Sequence, residues 1–245
     1  MFRFFIDSDQ IEGDVLSVTG GDVNHIRNVL RMKIGDDIEA VDENGNVATC
    51  RIREISADEI YADVLFTEVN EAELSNQITL YMGLPKFDKM ELIVQKAVEL
   101  GVYRIVPVRM KRCVLKLDEK KAESKVKRWQ SIAEAAAKQA KRGIVPEIAP
   151  VATYSQALSE ARNAGHILFP YECAEDIAKT REFISGIGPG ESIAVFIGPE
   201  GGFDPAEVEA ARDSGAHIIT LGRRILRTET AAISAMSILM FYLEK

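Results

Sequence analysis

The chain has 245 residues, 47% of them apolar and 28% charged, with a formal net charge of -8. Those proportions leave room for one large domain or two small ones, and they exclude a fibrous or wholly disordered chain. No run approaches the about 18 apolar residues of a membrane span, and the opening MFRFFIDSDQ lacks the apolar core of a secretion signal, so the expected location is cytoplasmic.

In chain order, the first seventy residues read as strands and turns. Within DVNHIRNVLRMKIGD, Val23, Ile26, Val29 and Leu30 share helical spacing while His25, Arg27, Arg31 and Lys33 point elsewhere, which predicts a short basic helix. GDDIEAVDENGNVATCRIREI holds two alternating runs around Asn44-Gly45, the dipeptide a tight hairpin favours. EIYADVLFTEV adds another strand. A boundary falls near Leu74, giving a small β-rich domain over 1–73 and a second domain over 74–245.

Beyond it, strands and helices alternate, as in an α/β domain with a mostly parallel sheet. QITLYMGLP, YRIVPVRM, HILFPYE, SIAVFIG and HIITLG read as strands, and KMELIVQKAVELG as a helix closed by Gly101. A long helix is predicted from about Glu119 to Lys141, stopped by Gly143 and Pro146. TETAAISAMSILMFYLEK is apolar on nearly every face and should be buried, in the fold or against a second subunit.

Arg104 to Arg142 carries thirteen Lys/Arg against four Asp/Glu on an otherwise acidic chain, which suits either a localised anion site or a solvated helix face. Cys50, Cys113 and Cys173 are about sixty residues apart, and His25, His166 and His217 are equally scattered. That spacing predicts neither a disulfide framework nor a metal site.

Three loops, FPYECA, IGPEGGFDP and LGRRILRTETA, leave strand ends and can line one pocket, where ligands of open α/β sheets sit. Gly198, Gly201 and Gly202 allow close backbone approach, and Pro199 stiffens the turn. Asp204 reads as a helix N-cap, with Pro205 at the first helical position and Glu207 completing a capping box. No phosphate-loop, dinucleotide or G-x-S-x-G motif is present. The residues suit a small ligand held by its adenine edge and apolar walls, or purely structural turns.

IGPEGGF followed by LGRRILRTETAAISA resembles the SPOUT superfamily of methyltransferases, and specifically its bacterial family that methylates uridine N3 in 16S ribosomal RNA. HIRNVLRMKIGD, QKAVELGV, KRCVLKL and RWQSIAEAAAKQAKRGIVPEI are similar to that family's landmarks, in its order. The resemblance implies an N-terminal PUA-like RNA-binding β-barrel over 1–73 and a trefoil-knotted α/β domain over 74–245. It also implies S-adenosyl-L-methionine as methyl donor, the 16S rRNA or the small ribosomal subunit as partner, and a homodimer.

Carried onto this chain, it implies a cofactor pocket walled by Phe169, Pro170, Tyr171, Ile197, Gly198, Pro199, Glu200, Gly201, Gly202, Leu221, Gly222, Ile225, Leu226, Arg227 and Thr228. Glu172 becomes the candidate proton acceptor and Arg3 the candidate stabiliser of the imide anion, while Glu200 braces its loop and Arg227 and Glu229 anchor theirs. Arg27, Arg31, Lys111, Arg112, Lys138, Lys141, Arg142, Arg223 and Arg224 become the RNA contacts. A ribose 2'-O-methyltransferase and a non-catalytic RNA-binding or ribosome-assembly factor are the alternative readings.

Overall fold

The computed structural model describes residues 1–174 and 176–244, which divide into two compact units. One comprises Met1–Glu73 with Ala137–Val145, the other Leu74–Ala136 with Pro146–Lys245. The assignment of 137–145 to the first unit departs from the sequence reading, which placed that stretch in the second domain.

In the first unit, strands β1 (Phe2–Phe5), β2 (Ile11–Glu12), β3 (Val15–Thr19), β4 (Asp37–Val41), β5 (Asn46–Ile55) and β6 (Glu59–Val69) form one mixed sheet in the order β1-β4-β5-β6-β3-β2. β1 runs parallel to β4, and the other neighbours are antiparallel. Alternate residues of these strands face inward, so Phe4, Leu16, Ile38, Cys50, Ile52 and Ile60 share one core. The turn at Asn44-Gly45 is a residue longer than a two-residue hairpin. The Gly45 amide donates to the Asp42 carbonyl, Gly45 takes φ +79°, and the Asp42 carboxylate accepts from the amides of Asn44 and Asn46.

The basic helix is shorter and wider than its periodicity predicts. Helix α1 (Gly21–Asn24) passes into a π turn over His25–Val29, where the Leu30 amide reaches back to the His25 carbonyl. Val23 and Ile26 stay buried, but the widened turn swings Val29 out to 63% exposure. Arg27 and Arg31 lie on the exposed surface here.

Helix α3 (Glu119–Gln139) ends without a glycine: Lys141 adopts φ +56°, its amide bonds to Lys138 and the Arg142 amide to Ala137. This is a Schellman ending with a left-handed residue that normally favours glycine. Side chains of the same unit hold it. Arg3 donates from Nη1 to the Lys141 carbonyl at 2.5 Å and to the Arg142 carbonyl at 3.1 Å, and Asn70 Nδ2 donates to the Lys141 carbonyl.

Two residues assigned functional roles from the sequence are buried in ion pairs of the first unit. Arg3, 9% exposed, also bonds the Glu39 carboxylate at 2.8 Å, and Arg142, 2% exposed, meets Glu73 at 2.6 Å. Lys138 bonds Asp22 at 3.0 Å with its ammonium 5.2 Å from the Phe4 ring centre, and Lys141 pairs with Glu39 at 3.3 Å.

The second unit holds a parallel sheet of β7 (Ile78–Gly83), β8 (Arg104–Arg109), β9 (Glu147–Ile148), β10 (Ala152–Thr153), β11 (His166–Pro170), β12 (Ile193–Ile197) and β13 (His217–Ile219). The order is β10-β8-β7-β12-β11-β13, with β9 also beside β8. Helices α2 (Lys89–Glu99), α4 (Tyr154–Ala161), α5 (Ile177–Ser185), α6 (Pro205–Asp213) and α7 (Thr228–Leu243) accompany it, and burial on both faces explains the near-continuous apolar strands. After β13 at the sheet edge, the chain returns so that α7 packs on β12, α2 and α5. α7 buries Ala232, Ala235, Met236 and Leu239, while Phe241 is 77% exposed. Among the described residues, no helix is long and apolar enough to cross a membrane.

The Arg3–Glu39 pair sets a prediction. Burial opposes ionisation of Glu39, but Arg3 and Lys141 hold its carboxyl below the usual range. The pair thus adds stability above the unfolded carboxyl value, and that stability is lost as pH falls through the folded value. Arg3→Met removes the 2.8 Å partner of the Glu39 carboxylate, leaving it Lys141 at 3.3 Å, and takes a donor from the Lys141 and Arg142 carbonyls; it should cost about 3 kcal/mol in urea unfolding at neutral pH, less in acid. A loss of catalytic rate with unchanged stability would restore the catalytic role.

Candidate functional site

β11 lies between β12 and β13 with all three parallel, so the loops after them emerge at one edge of the sheet. They enclose a cavity of about 500 Å³, within the range of small-molecule sites. Phe203 lines it and is backed by an aromatic core cluster: the Phe169 ring centre lies 4.0 Å from Phe203 and 5.8 Å from Phe196, and Tyr81 stacks on Phe196 at 4.6 Å.

Each loop is pinned. In the first, the Tyr171 amide donates to the Ile219 carbonyl, fastening the end of β11 to β13. In the second, the Gly202 amide bonds back to Pro199 at 2.8 Å, and Gly202 sits at φ +66°, where a Cβ would also come 3.3 Å from the Glu172 carboxylate. At its exit Asp204 caps α6, accepting from the Ala206 amide, with Pro205 first in the helix and Glu207 completing the capping box. Glu207 has a second task, accepting the Lys111 amide at 2.8 Å. The third loop is tied to the second by Thr228, whose Oγ1 donates to the Gly198 carbonyl at 2.6 Å.

Charged groups brace the outside. Arg112 donates to the Gly201 carbonyl at 3.0 Å, and Lys111 pairs with Asp204 at 3.0 Å. Glu200 accepts the Lys86 amide at 2.9 Å and meets Lys89 Nζ at 3.3 Å, and Lys89 also meets Glu229 at 3.1 Å. Burial works against ionisation of Glu200, but the Lys86 amide and the Lys89 ammonium hold its carboxyl below the usual range.

The fold brings together Pro170, Tyr171, Ile197, Gly198, Pro199, Glu200, Gly201, Gly202, Leu221, Gly222, Ile225, Leu226, Arg227 and Thr228 around the cavity, with Glu172 and Arg224 also in its wall. Phe169 is the exception: fully buried, it backs Phe203 and offers no surface to a ligand. Arg223 is exposed outside the lining, and Ile225 borders the cavity while 90% exposed.

Four lining residues, Lys89, Phe203, Thr220 and Ala231, escaped the sequence reading. Lys89 owes its place to the strand order and not to a local sequence signal. It follows β7, which lies beside β12, so its loop opens at the same edge. The approach is close: a Cβ on Gly83 would lie 2.7 Å from the Pro199 ring.

A wall of peptide groups from a glycine turn, apolar flanks from Pro170, Ile197 and Leu226, and a rim of both charge signs fits a flat heteroaromatic group with a polar tail. An adenosyl ligand has that shape, so the residues present fit S-adenosyl-L-methionine.

Comparison with known proteins agrees with that chemistry. The RNA methyltransferase domain family matches residues 72–240, and the RNA methyltransferase PUA domain family matches residues 18–65. The chain is 37% identical over 250 residues to Ribosomal RNA small subunit methyltransferase E of Bacillus subtilis (strain 168), covering 100% of this chain and 98% of that one. It is 33% identical over 243 residues to the protein of the same name from Mesomycoplasma hyopneumoniae (strain 232), covering 95% and 96%. A crystal structure of Ribosomal RNA small subunit methyltransferase E from Neisseria gonorrhoeae, bound to S-adenosyl methionine, superposes with a TM-score of 0.85 at 30% identity, covering 98% of this chain and 97% of that one.

The Thr228 tie can be tested without any ligand. Thr228→Val keeps the shape but strands the Gly198 carbonyl, and should lower stability by about 1–3 kcal/mol in denaturant unfolding. An unchanged midpoint would mean that the two loops hold their places independently.

Proposed function

Because the chain belongs to the RNA methyltransferase family, we propose that it transfers a methyl group from S-adenosyl-L-methionine to N3 of a uridine in the 16S RNA of the small ribosomal subunit. The observation that carries this reading is the convergence of the three strand-end loops on one glycine-lined cavity.

The residues that hold the donor are Pro170 and Tyr171, the turn from Ile197 to Gly202, and the loop from Leu221 to Thr228. When bound, the donor supplies an electrophilic methyl group on a sulfonium. Everything else falls to positioning and proton transfer. The uridine N3 lone pair is engaged with two carbonyls until its proton leaves, so a base must stand at the mouth of the cavity. Glu172 is that base: its carboxylate is exposed in the wall, against the Gly202 turn. Arg224, also in the wall, takes the anion-stabilising role once given to Arg3.

RNA is guided by Arg27 and Arg31 on the first unit, and by Lys111, Arg112, Arg223 and Arg224 on the second. Lys138 and Lys141 keep partial exposure, but each already has a carboxylate partner, so they contribute less than their charge suggests. A base splayed from the RNA reaches the cavity. The protein works in the cytoplasm as a homodimer. Exposed apolar side chains on the mutually packed α2 and α7, namely Leu92 at 42%, Phe241 at 77% and Tyr242 at 42%, support that pairing.

Calorimetric titration with S-adenosyl-L-methionine should give a saturable binding heat. Nucleoside mass spectrometry of small-subunit RNA from a strain lacking the gene, incubated with protein and donor, should give N3-methyluridine. A 2'-O-methylated nucleoside, or no methylation at all, would overturn the assignment. Glu172→Gln should leave donor affinity intact and lower kcat by about a hundredfold or more; an unchanged kcat would remove Glu172 as the proton acceptor.

A further inference from the structure

Lys89 is the first residue of α2, where an ammonium opposes the positive end of the helix dipole. A cation placed there against the local preference needs compensation, and two carboxylates provide it. Glu200 comes from the glycine turn after β12 and Glu229 from the first turn of α7, at 3.3 Å and 3.1 Å from the same Nζ. The side chains are largely shielded, at 28% exposure for Lys89, 24% for Glu200 and 16% for Glu229, so the pairs escape much of the screening that weakens surface bridges. Lys89 also lines the cavity.

Removing the ammonium would leave two half-buried carboxylates facing each other across the opening. Other bonds constrain only part of this geometry. Glu200 keeps the Lys86 amide, and Thr228 keeps the Gly198 carbonyl on the far side of the turn. We propose that Lys89 is a positioning residue for the donor site: it bridges Glu200 and Glu229 and so sets the spacing between the glycine turn and the closing loop that grip the cofactor. The proposal rests on the reading of this cavity as the S-adenosyl-L-methionine site. It adds a fourth strand-end segment, the one after β7, to the three that form the cradle.

The role separates from general stability because it acts on the grip and not on the chemistry. Lys89→Met should raise the dissociation constant for S-adenosyl-L-methionine about tenfold and raise the donor KM in parallel, with kcat at saturating donor within about twofold of the parent. Lys89→Arg, which keeps the charge, should recover most of the affinity, whereas a residue needed only for packing would not respond to the restored charge. Hydrogen exchange on the ligand-free protein supplies a readout independent of the cofactor. Amides of residues 198, 200–203 and 221–228 should exchange faster in Lys89→Met and return toward the parent rate in Lys89→Arg. Unchanged exchange in both loops, or donor affinity within twofold of the parent, would overturn the proposal. A parent protein that binds no donor, yet whose loops loosen in Lys89→Met, would leave the bridge standing and overturn the functional reading instead.

Discussion

One hydrogen bond, from Thr228 Oγ1 to the Gly198 carbonyl at 2.6 Å, joins the chain leaving the last strand to the glycine turn two strands away. A parallel sheet delivers its strand ends to one edge but does not bring the following loops together, since each is a separate segment with its own conformational entropy. The join closes the ring. Because Thr228 is also the first residue of α7, the loop's position is fixed by a helix whose buried face, Ala232, Ala235, Met236 and Leu239, is anchored in the core. Apolar burial far from the cavity thus holds its rim in place.

The basic block shows how charge can mislead. On the chain, Arg104 to Arg142 is an obvious cationic stretch. In the fold, its end turns inward: Arg142 is buried on Glu73, Lys138 meets Asp22, and Lys141 shares Glu39 with Arg3. Those partners are separated from the block by about 70 to 140 positions, so no local pattern reveals them. Further back, Lys111 and Arg112 are committed to Asp204 and to the Gly201 carbonyl, and serve the glycine turn itself. Part of the block therefore supplies internal ties, while Lys111 and Arg112 keep exposed side chains beside the turn they brace.

What was legible in the sequence was whatever has a local cause. Strands β4 to β8 and β11 to β13, the capping box at Asp204 and the convergence of three strand-end loops follow from alternation, cap chemistry and strand direction. What was not legible had a distant cause. The family resemblance placed Phe169 in the pocket wall, but strand alternation turns its ring down onto Phe203. Val29 looked like core until the π turn shifted the helical phase. The end of α3 carries Gly143 as its obvious stop, yet the chain turns at Lys141, in a left-handed conformation held by Arg3 and Asn70 from elsewhere in its unit.

The same distinction explains how Lys89 went unnoticed. In KFDKMEL it reads as one more exposed lysine at a helix start, and only the pairing of β7 with β12 places it beside the glycine turn. Gly83, at the end of β7, lets Pro199 pass at a separation no side chain would permit, so the segment after β7 and the glycine turn are pressed together before any charge acts. At the other end α2 packs on α7, which carries Glu229 in its first turn. The ammonium therefore sits where a backbone contact on one side and a helix–helix contact on the other have already brought two carboxylates within reach. Ion pairs on flexible surfaces lose most of their attraction to the entropy of ordering two long side chains. Here the ordering comes from packing, and the charge can act on what remains free to vary, the width of the opening.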